Sequence, residues 1–184
     1  MSVTRHPDAM IPASTPVAPR LVLATARGRT VLDGGWWPRS WDPAAELPGL
    51  LVALTERHGR IRNVVLNLRT WDDRFRRLTV GSDVVRFGWF DSLDPAVLVA
   101  TTDRDTQIDL LVVPPSTPAA AAERAMAIAA DPANLRRAPD ILAAVRVVPA
   151  RASTASTDSY AEWDNEGGGN GVRGRDSRVS PMRE

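Results

Sequence analysis

The chain reads as an α+β fold: a mainly antiparallel sheet of five to six strands, with two or three helices packed on one face. Three observations carry that reading. Short runs rich in β-branched and aromatic residues recur between turn signals. Apolar residues alternate within those runs, which suits a half-buried strand. Two longer segments show helical spacing framed by proline starts. The order along the 184 residues is β-(β)-α-β-β-β-β-β-α-α.

Leu21–Thr25 is the first strand, and Thr30–Leu32 a short second piece after the Arg27-Gly28-Arg29 turn. Asp42 is placed as an N-cap with Pro43 at the first helical position, where a missing N–H costs nothing. Leu47, Leu50, Leu51 and Leu54 then form one apolar stripe, and Gly59 is the expected stop. Pro48 is a possible break or second start within that helix. Strands follow at Ile61–Thr70, Arg77–Val80, Val84–Phe90, Ala96–Thr102 and Thr106–Val113. Gly81-Ser82-Asp83 and Asp103-Arg104-Asp105 are read as compact turns, so the strands they join are antiparallel neighbours. Pro114-Pro115 ends the last strand. A second helix begins with Thr117 as N-cap and Pro118 at the first position and runs to about Ala130. A third covers Ala138–Val145.

This places one domain at residues 20–148. Residues 1–19, with Pro7, Pro12, Pro16 and Pro19, read as a disordered leader; residues 149–184 read as a disordered tail rich in Ser, Thr, Gly and Arg.

Composition excludes several chemistries. Cysteine is absent, so there is no disulfide, thiolate nucleophile, iron–sulfur cluster or Cys-based zinc site. Lysine is absent too, which removes Schiff-base lysine, pyridoxal phosphate anchoring and a P-loop lysine. With two histidines, one of them in the leader, no histidine-cluster zinc site can be built. No metal ligands and no cofactor site are assigned. Residues 1–150 hold 18 Arg against 16 acidic residues, and residues 151–184 hold 5 against 6. That even balance argues against nucleic acid and membrane partners by bulk electrostatics. The apolar runs fall far short of the ~20 residues that span a bilayer. No secretory signal is legible, so a cytoplasmic location is expected by elimination.

The stretch Asp33-Gly34-Gly35-Trp36-Trp37-Pro38-Arg39-Ser40, followed by Glu46-Leu47-Pro48 and later by Leu110–Pro115, resembles a family of uncharacterised bacterial proteins. That family is a domain of unknown function, found mainly in actinomycete-type genomes and marked by a D-G-x-W-W-P-R-S signature. The resemblance covers roughly residues 20–145. It implies domain boundaries and carries over no functional residues.

The Trp-Trp-Pro-Arg-Ser segment is the first candidate binding site. A residue before proline is pushed towards extended backbone, so Trp36 and Trp37 point to opposite sides. One is expected to seal the core and the other to stand near the surface. Arg39, beside Ser40, is a candidate to stack on a tryptophan or hold an anion. The plainer reading is a plug at the sheet edge. The second candidate is the mixed sheet face, with Asn67, Arg69, Arg86 and Asp109 near Trp71 or Trp89; its plainer reading is a solvated face. Asp72-Asp73 and Asp103-x-Asp105 suit turns better than catalysis, and His58 suits a helix C-terminus. No catalytic residue is assigned. The expected function is a non-catalytic module that binds a small molecule or protein through Trp36–Ser40 and the adjoining sheet face. An Asp/Arg-dependent, metal-assisted enzyme is the alternative, and single-stranded nucleic-acid binding on the sheet face is the second alternative.

Overall fold

Strand pairing in this chain is decided by one long loop and two tight turns. The computed structural model describes residues 9–10, 16–25 and 30–145. The leader and tail expectations at 1–8, 11–15 and 146–184, and the turn at 26–29, lie outside the described residues. The strands are β1 (Ala9–Met10), β2 (Leu21–Leu23), β3 (Gly34–Trp36), β4 (Ile61–Asn67), β5 (Arg77–Val80), β6 (Asp83–Phe90), β7 (Val97–Thr102) and β8 (Gln107–Val112). The helices are α1 (Pro43–His58), α2 (Ala119–Ala129) and α3 (Ala138–Ala144). All the strands join one sheet in the order β1-β5-β6-β4-β7-β8-β3-β2. The two-residue β1 falls within the stretch read as a leader.

The fold is α+β, but the sheet is mixed rather than mainly antiparallel. The β5–β6 and β7–β8 hairpins are antiparallel, as their turns demand, and so is β4–β7. However, β4 lies parallel to β6, β3 to β8 and β1 to β5. Tight turns constrain only the strands they join. Residues 68–76 are long enough to carry the β5–β6 hairpin round, so that β6 rather than β5 meets β4.

A second correction concerns β3. The second strand piece is Gly34–Trp36, not Thr30–Leu32. Glycine is depleted in strands, which favoured a turn here. The structure needs both glycines for close approach. A Cβ on Gly34 would lie 2.3 Å from the Val22 carbonyl oxygen, and one on Gly35 would lie 2.7 Å from Met126 Cα on α2.

Helix α1 forms as its caps predict. Asp42 is extended (φ −79°, ψ 106°) and its Oδ1 accepts from the Ala44 N–H at 2.9 Å. Pro48 removes one backbone donor without interrupting the helix. Gly59, at φ 88°, donates its N–H to the Thr55 carbonyl and ends it. At α2 the predicted cap fails. Pro118 itself occupies the N-cap position with extended backbone, and Thr117 is buried ahead of it.

The helices pack on both faces, not on one. Leu47, Leu50, Leu51 and Leu54 of α1 join Trp36, Val64, Leu66, Ile108, Leu110 and Val112 in one core layer. Ala122, Ala125 and Met126 of α2 and Ile141 and Leu142 of α3 join Trp37, Leu111 and Val113 in another. Strand β8 explains this. Its end is an unbroken apolar run, Leu110-Leu111-Val112-Val113, so successive side chains enter opposite layers.

Candidate binding surface

The Trp-Trp-Pro-Arg-Ser segment fastens the fold. Trp36 and Trp37 do point to opposite sides, but neither reaches the surface. Trp36 is fully buried and stacks on Trp71, with ring centroids 5.5 Å apart and planes 13° from parallel. Trp41 meets Trp71 edge-on at 5.3 Å. Trp37 is 9 % exposed on the other face, with its Nε1–H directed at the Pro115 carbonyl. The expectation of a surface tryptophan is therefore overturned. The alternation holds; the second layer, with α2 and α3 in it, closes over the outward ring.

The arginine that stacks there is Arg20, not Arg39. Its guanidinium carbon sits 3.4 Å from the Trp37 ring centroid, while Nε donates to the Trp37 carbonyl at 2.9 Å and Nη2 to the Pro38 carbonyl at 2.6 Å. Burial, and then repulsion from Arg39, lowers the Arg20 pKa from its ordinary value. Arg39 donates to the Ala18 carbonyl at 3.1 Å. Ser40 Oγ donates to Glu46 on α1 and accepts from the Asp42 N–H, next to the helix cap. All these contacts tie residues 18–20 and the start of α1 to the sheet.

The sheet face offers more. On the side of α2 and α3, the helices cover β3 and the adjacent ends of β7 and β8. The half built by β5, β6, β4 and β7 carries a row of polar residues in register. Arg77 faces Arg86, Arg86 faces Asn63, Asn63 faces Thr101 and Thr101 faces Gln107. Arg77 and Arg86 are exposed and make no ion pair or side-chain hydrogen bond among the described residues. Further along β6 on the same side lie Gly88 and Phe90. Phe90 is 54 % exposed and leans back along the strand; a Cβ on Gly88 would meet its Cε2 at 2.8 Å. Val84, also exposed, precedes Arg86 on that face.

Of the four residues expected on this face, only Arg86 lies on its open part. Asn67 is buried and organises the loop beyond β4. Its Nδ2 donates to the Leu93 carbonyl at 2.6 Å, and its Oδ1 accepts from the Arg69 N–H and from Thr70 Oγ1. Arg69 lies past the strand end and pairs with both carboxylate oxygens of Asp91. That pairing raises the Arg69 pKa and lowers that of Asp91. Asp109 sits half-buried beside Asp33, whose Oδ2 accepts the Asp109 N–H at 2.8 Å. Gln107 donates to both Asp109 oxygens. Burial, and to a lesser degree the Asp33 charge, pushes the Asp109 pKa up against the Gln107 bond. Two strands, β4 and β7, lie between Asp109 and Arg86, a span of three strand spacings or about 14 Å, so the two do not form one site. Trp71 is in the core, and Trp89 lies on the α1 side with its Nε1–H on the Phe75 carbonyl.

The remaining candidates fall into local roles. Asp73 Oδ1 accepts from the Arg74 N–H within the loop after β4. Asp105 takes φ 57° in the β7–β8 turn and pairs with Arg62 at 2.9 Å. His58 lies in the last turn of α1. Among the described residues no group of three or more His, Asp or Glu is placed to hold a metal ion, and no helix is long and apolar enough to cross a membrane.

The sequence reading missed Arg77, Asn63 and Phe90. Phe90 was legible, because alternation through Val84-Arg86-Gly88-Phe90 puts it on the Arg86 side. Arg77 was hidden by the turn. Reading Gly81-Ser82-Asp83 as a three-residue turn shifts the register by one; the real turn is Gly81-Ser82, with Gly81 at φ 59°.

No curated protein and no solved structure matches the chain. One family model covers β2 to β8, α1 and α2 and stops before α3. From residue 20 to residue 129 the chain fits the model of the family of unknown function DUF5994, and it belongs to that family.

Proposed function

We propose that this protein is a non-catalytic binding module, and that its binding surface is the open half of the sheet around Arg77, Arg86, Asn63 and Phe90. One observation carries the reading: two arginines face each other across β5 and β6 without a counter-ion among the described residues, beside an exposed aromatic ring. Like charges directly opposite on a sheet are destabilising. An anionic ligand removes that repulsion, and the ring adds apolar contact. The Trp-Trp-Pro-Arg-Ser stretch, proposed as the family signature, supports this surface indirectly by closing the opposite edge of the sheet. The same reading places the protein in the cytoplasm of an actinomycete-type bacterium, whose high-GC genome favours arginine codons over lysine.

The test is an NMR titration of the full chain with inorganic tripolyphosphate. The amides of Asn63, Arg77 and Arg86 shift together, and Arg86→Glu abolishes the response while leaving the far-ultraviolet circular dichroism unchanged. Shifts scattered over unrelated arginines, or an unaltered response in Arg86→Glu, would refute the surface.

A further inference from the structure

We infer that the ligand of this face is single-stranded nucleic acid, its phosphates held by Arg77 and Arg86 and a base stacked on Phe90. This rests on the reading of the open sheet half as a binding surface and narrows it to one partner chemistry.

Shape argues first. Arg77, Arg86 and Phe90 are all exposed on a sheet face that no described helix covers. A small-molecule site encloses about 70–90 % of its ligand, which three exposed side chains on such a face do not do. A polymer laid across the strands needs no enclosure. Size argues against a protein partner. A stable protein interface takes about 800 Å² from each side. Among the described residues, the large apolar side chains exposed on this half are Val84 and Phe90, flanked by a polar row.

Chemistry argues last. Arg77 and Arg86 are cross-strand neighbours, with Cα atoms about 5 Å apart. Together they present two guanidinium forks suited to phosphate oxygens. Gly88, under the edge of the Phe90 ring, is two residues from Arg86, or about 7 Å along the strand. A base stacked on Phe90 therefore leads its backbone over the arginine pair. Asn63, Thr101 and Gln107 continue the row with amide and hydroxyl groups that can meet base edges. Stacking on an aromatic ring tolerates any base, and hydrogen bonding to exposed edges suits a single strand. The small net charge does not count against this, because among the described residues of this face the unpaired cations Arg77 and Arg86 stand on β5 and β6, while the carboxylates Asp33 and Asp109 lie beside one another at β3 and β8.

The experiment is fluorescence anisotropy of the full chain with labelled, mixed-sequence 12-nucleotide DNA and RNA single strands, and with a duplex of the same sequence, between 50 and 200 mM salt. Binding to either single strand in preference to duplex is expected. Phe90→Ala weakens it by about one to two orders of magnitude. Arg77→Gln and Arg86→Gln each reduce the slope of log affinity against log salt by about 0.7. All three positions are exposed, so circular dichroism stays unchanged. No binding at tens of micromolar protein in low salt, equal affinity for duplex, or wild-type affinity and salt slope in all three variants overturns the inference. If oligonucleotides fail while tripolyphosphate still shifts the Arg77 and Arg86 amides, nucleic acid is excluded and the binding surface stands. If both fail, both readings fall.

Discussion

Gly35 has no room for a side chain, because α2 crosses β3 with Met126 directly above it. An added methyl must push helix from sheet. Gly35→Ala is therefore expected to destabilise the fold by about 1–3 kcal/mol, measured by chemical denaturation. A change below 0.5 kcal/mol would show that the two elements separate freely. Asp109 gives a second residue-scale expectation. Burial raises its pKa above the ordinary 3.8, so between that value and the raised one the folded state binds more proton than the unfolded. Its contribution to stability is fully present below the ordinary value and is lost as pH rises through the raised one. Asp109→Asn should therefore be more stable than the parent near neutral pH, with the gap closing on acidification. Thermal unfolding across a pH series checks this; a gap independent of pH would contradict it.

Helix ends show how local signals succeed and fail. The Asp42 cap was legible because it depends on a near-neighbour hydrogen bond, from the Ala44 N–H to the aspartate side chain. Asp42→Ala should destabilise by about 1 kcal/mol. The same signal at Thr117 misled. Thr117-Pro118 has the right residue types, yet the hydroxyl is buried without a hydrogen-bond partner among the described residues, and α2 starts one residue later than the cap implies. An unsatisfied buried hydroxyl costs roughly 1–3 kcal/mol. Thr117→Val, close in shape, should thus be neutral or stabilising by up to about that amount; a loss of stability would mean that the hydroxyl has a partner after all. Hairpins follow the same logic. The positions of β5 and β6 were legible to within a residue, but a one-residue error in turn length hid the Arg77–Arg86 pairing.

At the scale of the whole molecule, two core layers share one sheet. Leu50 lies in the α1 layer and Ile141 in the α2–α3 layer, both essentially inaccessible. Each truncation to alanine should cost about 2–5 kcal/mol. Because β8 contributes Leu110 and Val112 to one layer and Leu111 to the other, the layers should unfold together. Coincident transitions by tryptophan fluorescence and far-ultraviolet circular dichroism are expected in both variants. A separate early transition in Ile141→Ala would mean that α3, which lies beyond the family match, folds independently. The open half of the sheet is also a property of this scale, since it exists only because α2 and α3 cover the other half.

The sequence by itself determined the α+β class, the succession of elements from α1 to α3, the α1 stripe, both hairpins and the exclusion of chemistries that need cysteine or lysine. These rest on periodicity, caps and composition, which act over a few residues. Only the tertiary structure decided that β6 inserts beside β4, that helices cover both faces, that both adjacent tryptophans are interior and that Arg77, Arg86 and Phe90 share a face. Such outcomes depend on which distant apolar surfaces meet and on register across strands far apart in sequence. Where one local feature touched that long-range order, at the Gly81-Ser82 turn, a single residue of register separated a solvated face from the proposed binding surface.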